Sequence, residues 1–506
     1  MKKLLLYTLS IALVIVSCEE FLDVKPTNQA DAGSAIGTPA DAQVMMNGLM
    51  RSMSSLVYYG RDMFLYADSK GGDLCVGGRG RGYDGLYVFN HSQTLNSGGD
   101  FWSQIYFCVT LANNLIINIQ KMIEEGKGSA ALNHTLAQAL TARAIFYYDL
   151  VRLWGKPYDM DRNSYGVPLN LEVLDATAQP TRASVAEVYT QILADLNAAV
   201  PLFNRTQRNN GFINYYANVA MQARIHLQMQ NYAAALTAAE DVIQNGGYAL
   251  YTNENWITSW SRQFQSESIF ELHHLPTELG GTTGSLGAMM IHTQSTLTAW
   301  NYFIASTSFL ERLGEDPADI RWGLMDLDEK AKESPSSVQY IENRQGCCYK
   351  YVGGISVRAT YDTGTIALGD GKSTRTAVNI KVIRLSEIYL IAAEAALGAN
   401  NRDKAATYLQ AIRKRAPNLE PATAANVTLQ MVKDERSKEL LMEGHRFFDM
   451  LRWNETIVYD SDWLSQSPVT SRPESIDRTY FKAIYPITQN EINANPAIAS
   501  QQNPGY

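Results

Sequence analysis

The chain has 506 residues, enough for two or three average domains or one large one with a sizeable core. It carries 43 basic against 51 acidic side chains, a net charge of −8, which argues against nucleic acid or anionic lipid as a ligand. Its 28 tyrosines and 8 tryptophans offer a flat apolar face with a polar edge, suited to sugar rings and interfaces as well as to a core.

Lys2 and Lys3 precede an apolar stretch at residues 4–15. Its length is that of a signal peptide and too short to span a bilayer comfortably. It stops at Val16-Ser17-Cys18, a small residue before a cysteine, which resembles a bacterial lipobox. The expectation is a lipoprotein signal peptide over 1–17, cleavage before Cys18, and acylation of the Cys18 thiol. Such an anchor is stable because each buried methylene contributes about 0.8 kcal/mol. Residues 18–40 read as a lipid-anchored tether, and 41–506 as a single body without another long apolar run. Among the other cysteines, Cys347 and Cys348 are neighbours, where a disulfide is badly strained. No C-x-x-C pair exists. A Cys75–Cys108 bridge stays open at this stage, with buried free thiols as the default for Cys75, Cys108, Cys347 and Cys348.

Residues 41–58 look helical, whereas 67–100 hold a run of glycines from Gly71 to Gly85, then Gly98 and Gly99, and read as a long loop region. From Trp102 the apolar positions step by three and four through Ile105, Val109 and Ile116. The theme repeats over 132–154 until Gly155 and Pro157 stop it. Between them and a later capping box, Asp159, Asp161 and Asn163 alternate as in a calcium loop. Ser164 stands where the tight-turn glycine belongs, however, and Asn170 replaces the bidentate glutamate. The preferred reading is a polar helix-to-loop turn, with no metal or other cofactor. Ser184 and Glu187 form the capping box, opening a helix with the stripe Val185, Val188, Ile192, Leu196 and Ala199.

An internal repeat follows. Residues 217–245 read as two helices joined at Gln230-Asn231, and 385–415 as two joined at Ala399-Asn400-Asn401. Shifting one onto the other aligns Ala223 with Ala393, Leu227 with Leu397, Asn231 with Asn401, Ala235 with Ala405 and Val242 with Ile412. Small residues at the crossing and a short turn are what a tetratricopeptide-like hairpin needs. Residues 246–380 and 455–506 lack long helical periods. The expected fold is therefore mainly α. Helical repeats at about 102–245 and 380–455 form a scaffold, and loop-rich inserts at about 60–101 and 246–380 carry short helices and few strands. Glu439, Glu443, Arg446, Asp449 and Arg452 lie three or four apart, which predicts a salt-bridged structural face on one helix rather than a catalytic acid pair.

Several motifs in series carry a resemblance to a known family. They are Cys18-Glu19-Glu20-Phe21-Leu22-Asp23, then Trp102-Ser103-Gln104-Ile105-Tyr106 with Asn113-Asn114. Thr141-Ala142-Arg143-Ala144, Trp154-Gly155-Lys156-Pro157 and Pro180-Thr181-Arg182 follow, with Arg384-Leu385-Ser386-Glu387 after them. Most specific is the run Glu435-Arg436 to Glu443-Gly444-His445-Arg446-Phe447-Phe448-Asp449, and the tail closes with Tyr485-Pro486-Ile487 and Asn503-Pro504-Gly505-Tyr506. The series resembles the SusD/RagB lipoproteins from end to end. The resemblance implies a helical fold and a surface-exposed lipoprotein of the outer membrane; Glu19 and Glu20 resemble the surface-export signal of Bacteroidetes lipoproteins. It implies a SusC-like, TonB-dependent outer-membrane barrel as partner, to which captured oligosaccharide is passed. Most members bind glycans and some bind peptides.

The same resemblance places ligand sites in loops outside the repeats, which points to 66–102 and 270–325. The candidates are Asp73, Arg81, Tyr83, Tyr87, Trp300, Tyr302 and Trp322, with Tyr83 and Trp300 leading because their neighbours are polar or small. Trp256 and Trp260, four apart, read instead as a packed pair. No catalytic residue is assigned, since no G-x-S-x-G, H-E-x-x-H or Walker-type motif occurs. A surface glycosidase would need two carboxylates at a fixed separation.

Overall fold

Side-chain caps decide where the helices begin. In the computed structural model the described residues are 36–76, 83–95, 100–206, 211–275, 284–290, 302–325, 346–351, 378–462 and 469–506. Helix α1 (Pro39–Met53) opens on a capping box in which Thr38 and Asp41 satisfy each other's backbone donors. That cap starts the helix two residues earlier than expected, within the segment read as tether, and Ile36 is already buried. Helix α2 (Asp62–Lys70) falls inside the stretch read as loop. All nine of its residues are buried, polar Asp62, Asp68, Ser69 and Lys70 included, so no one-sided apolar stripe marks it in the sequence. Strand β1 (Leu74–Val76) follows it.

The long helices α3 (Phe101–Met122) and α4 (Ala130–Trp154) begin at the side-chain caps Asp100 and Ser129. Helix α5 (Val185–Ala199) begins at the expected Ser184–Glu187 capping box. The three helices are tied together: Arg143 donates to both oxygens of Asp195 at 2.7 and 2.8 Å and to Asn113 at 2.9 Å. The chain end closes on the same helices, with Asn503 donating to the carbonyls of Trp154 and Tyr485 at 2.8 and 2.6 Å.

The first hairpin is α6 (Tyr215–Gln228) with α7 (Tyr232–Asn245). Strands β2 (Ser268–Leu272) and β3 (Phe303–Ala305), helix α8 (Thr307–Gly314) and strand β4 (Ile380–Arg384) lie in the irregular part. The second hairpin is α9 (Leu385–Gly398) with α10 (Arg402–Arg413). The two turns share one geometry. Gln230 and Asn400 both adopt left-handed φ, 58° and 59°. The next residues, Asn231 and Asn401, donate their backbone N–H to His226 O and Ala396 O at 2.8 and 2.7 Å. The aligned alanines Ala223, Ala393, Ala235 and Ala405 are fully buried at the crossings, as close helix approach requires. Between hairpins, the Tyr232 ring lies on Gly398, where a Cβ would collide with it.

Helices α11 (Leu429–Leu440) and α12 (Arg446–Trp453) complete the helical frame, and the expectation of one helix over 439–452 is corrected here. Met442 and Gly444, with φ of 64° and 79°, turn the chain between them, and the Gly444 N–H donates to Asp68 on α2 at 2.7 Å. The acids consequently find most of their partners across the fold rather than along one helix. Arg384 contacts Glu443 at 2.6 Å, Glu439 at 2.8 Å and Glu267 at 3.0 Å. Arg415 approaches Glu267 at 3.0 Å and Glu439 at 2.9 Å. Arg321 pairs with Asp319 at 2.6 Å and Glu435 at 2.9 Å, and Lys350 with Glu443 at 2.7 Å. Burial alone would raise the Glu439 carboxyl's pKa, but Arg415, Arg384, Arg321 and Lys350 outweigh it and hold the group well below the usual range. Glu435 is lowered in the same way by Arg321 and Lys438 against its burial.

Other expectations resolve simply. Cys75, Cys108 and Cys348 are buried free thiols and Cys347 is buried beside them, and burial pushes the Cys108 thiol up to about 11. Trp256 and Trp260 are buried with ring centroids 6.0 Å apart. Residues Tyr158–Asp161 form a helical turn in which Asp159 takes Arg478 at 2.6 Å and Asp161 takes Lys156 at 3.2 Å. Asn163 follows in the same polar turn.

Two outcomes follow from the buried ion network. Replacing Arg384 with Met removes the cation that Glu267, Glu439 and Glu443 share and leaves their buried charges under-compensated, and urea denaturation should show a loss of about 3–5 kcal/mol. Glu435 and Glu439 have folded pKa values below their unfolded ones. Their contribution is complete above the unfolded value of about 4.3 and is lost as pH falls through the folded values. Thermal midpoints measured from pH 7 downward should therefore stay level until about pH 5 and drop below it.

Candidate functional site

Asp73 anchors the strand that leads to the site. Its carboxylate accepts from Ser437 Oγ at 2.7 Å and faces Arg312 at 3.2 Å and Arg446 at 3.1 Å. Its carbonyl accepts the Ser306 N–H at 2.9 Å. From this fixed end, β1 runs antiparallel to β3, with Leu74 opposite Ala305, Cys75 opposite Ile304 and Val76 opposite Phe303. Both strands are buried, which fixes their register. At the ladder's far end Val76 lies opposite Phe303, which Tyr302 directly precedes. The two loop regions singled out in the sequence are thus brought together.

At that end the Tyr83 and Tyr302 rings meet edge to face, with centroids 5.2 Å apart and an interplanar angle of 69°. The Arg61 guanidinium lies 4.7 Å from the Tyr83 ring centre. It is held there by Asp62 at 2.6 Å and by the Gly284 carbonyl at 2.9 Å. Tyr302 and Arg61 are buried, whereas Tyr83 is half-buried. Desolvation pushes the Tyr83 phenol's pKa up, partly offset by Arg61, so it stays a neutral hydrogen-bonding group. The half-buried Tyr83 offers an aromatic ring with a phenolic hydroxyl, the chemistry a saccharide ring and its hydroxyls require, and the buried Arg61 and Tyr302 hold it in place.

The other sequence candidates separate from this pair. Asp73 is part of the frame, its oxygens taken by the partners just named. Tyr87 is buried too: its hydroxyl donates to Asp462 at 2.6 Å and Arg472 stacks 4.7 Å from its ring. Burial and internal pairing argue against ligand contact for both. Trp322 is half-buried on a short helical turn (Ile320–Leu324), between Arg321 in the ion network and Gly323 against Ile257. Arg81 and Trp300 lie outside the described residues, each two positions before Tyr83 or Tyr302. The residue that sequence reasoning missed is Arg61. A lone arginine between two helices carries no local signal, and its role comes from Tyr83 and Gly284, distant in sequence.

The profile described as the SusD family matches residues 364–506, and one described as "Starch-binding associating with outer membrane" matches residues 20–227. A crystal structure of a SusD superfamily protein from Bacteroides thetaiotaomicron is 33% identical, covering 92% of this chain and 100% of that one, with a TM-score of 0.79. Another SusD superfamily protein, from Bacteroides vulgatus, is 31% identical over 93% and 100% of the two chains, with a TM-score of 0.76. A SusD-like protein of Bacteroides ovatus is 24% identical over 483 residues, which is 90% of this chain and 83% of the relative.

Proposed function

Because this chain belongs to the SusD superfamily, we propose that it is a lipid-anchored, surface-exposed glycan-binding protein of the outer membrane. It captures oligosaccharide and passes it to a SusC-like, TonB-dependent barrel. The observation that carries this reading is the junction of Tyr83, Tyr302 and Arg61, where two loop regions meet on a buried strand pair. The family description of starch binding at the outer membrane supports the same ligand class. Arg81 and Trp300, adjoining the pair in sequence, complete the proposed sugar-contacting set.

A binding role without catalysis fits the acids as well. Glu439 and Glu443 are the carboxylates a hydrolase reading would choose. Both are buried and engaged by Arg384 and its neighbours, so neither is placed to donate a proton to a glycosidic oxygen.

The acyl-free chain, titrated calorimetrically with starch, laminarin, xylan and other neutral polysaccharides, should bind at least one of them. Tyr83→Ala should weaken that affinity by roughly 5–20-fold, about 1–2 kcal/mol. Binding of mixed peptides with none of the glycans would replace this reading with a peptide-uptake role. Cell fractionation tests the anchor: Cys18→Ser should move the protein out of the membrane fraction and abolish palmitate labelling.

A further inference from the structure

Beside α1 the chain forms a cleft of about 400 Å³, within the size range of small-molecule sites. Asn47, Arg51 and Ser54 of the α1 side form one wall, and His273 and Leu275, just past β2, form another. Phe264 and His273 lie near-parallel between them, 20° apart in plane with centroids at 6.3 Å. Three features mark this as a built surface rather than a packing gap.

Phe264 is held at φ 49°, a conformation that costs a bulky residue energy. Its N–H is 3.2 Å from both oxygens of Glu271, a fully buried carboxylate that also accepts from Ser268 Oγ at 2.6 Å. The Phe264 ring itself is only half-buried. Gly211, at φ 92°, passes close to both residues: a Cβ there would stand 3.5 Å from the His273 Cβ and 3.9 Å from the Phe264 ring. Leu275 is 48% exposed, and Asn47 and Arg51 are exposed, so apolar surface and planar hydrogen-bonding groups face the same opening.

The cleft is also tied to the Tyr83 site through one turn of backbone. Ser54 lines it, and the Ser54 carbonyl is so close to Gly60 that a Cβ there would collide with it. The turn between them is closed by the Gly60 N–H donating to Ser55 O at 2.9 Å. Gly60 is bonded directly to Arg61, which covers Tyr83. Cleft and aromatic junction therefore sit on opposite sides of one tight turn.

We propose that the Phe264–His273 cleft is a second saccharide subsite, occupied by a later unit of the same oligosaccharide whose other end rests on Tyr83. This rests on the glycan-binding reading above and adds selection for chain length. A single sugar or a dimer fills one subsite, whereas a longer oligomer bridges the turn and engages both.

Phe264→Gly tests it, because glycine adopts positive φ freely and the ring is removed without loss of fold. The thermal midpoint should be unchanged or raised. Calorimetry with maltose and maltoheptaose, and with laminaribiose and laminariheptaose, supplies short and long probes. For the series that binds, the wild type should favour the heptamer over the dimer by roughly tenfold or more, a factor that Phe264→Gly abolishes while leaving the dimer unaffected. Tyr83→Ala should weaken both lengths. If Phe264→Gly binds the heptamer as the wild type does while Tyr83→Ala does not, the subsite is wrong and the glycan-binding reading stands. If no glycan in the wider screen binds the wild type, that reading fails and the subsite with it.

Discussion

Everything in the frame converges on the buried carboxylate of Glu439. Around it, Arg384 from the end of β4, Arg415 after α10 and Arg321 from the short turn Ile320–Leu324 compensate one another's neighbours, Glu267, Glu443 and Glu435. Taking so many charges out of water is expensive, and their mutual attraction roughly balances that cost when every partner is present. The network therefore contributes less to net stability than to geometry. Only one arrangement of β2, the second hairpin and α11 satisfies all the charges together. The repeat scaffold is locked to the irregular part by this constraint, since apolar packing tolerates small slips and a buried ion network does not.

The same constraint reaches the site through α2. That helix is enclosed on every side, with the Lys70 ammonium among the rings of Phe89, Tyr66 and Tyr485 at 4.1, 4.4 and 5.1 Å. Asp68 caps the turn between α11 and α12, and Asp73, just past the helix, is tied to α8, α11 and α12. The strand that ends beside Tyr302 thus starts from a point fixed in three directions. A ligand site assembled from loops gains pre-organisation from such an anchor, because the loops do not have to be ordered at the moment of binding.

Much of the helical frame was legible without coordinates. The caps at Ser184 and Glu187, the stops at Gly155 and Pro157, and the two equivalent hairpin turns are local chemistry, expressed within a few residues. Helix α2 was not legible because it is buried all round and carries no amphipathic period. The break between α11 and α12 was hidden for a related reason. Charges three or four apart imitate a single helix face, and the turn at Met442 and Gly444 is stabilised by Asp68, far away in sequence.

By itself the sequence determined the helical class, the two equivalent hairpins and the family, since periodicity, capping and motif order are properties of neighbouring residues. Tertiary structure alone decided which of those loop residues meet. The pairing of β1 with β3 joined Tyr83 to Tyr302, turned Asp73 and Tyr87 inward, and recruited Arg61. Those outcomes depend on contacts between segments hundreds of positions apart, whose register is fixed by burial and charge compensation that no local window of residues contains.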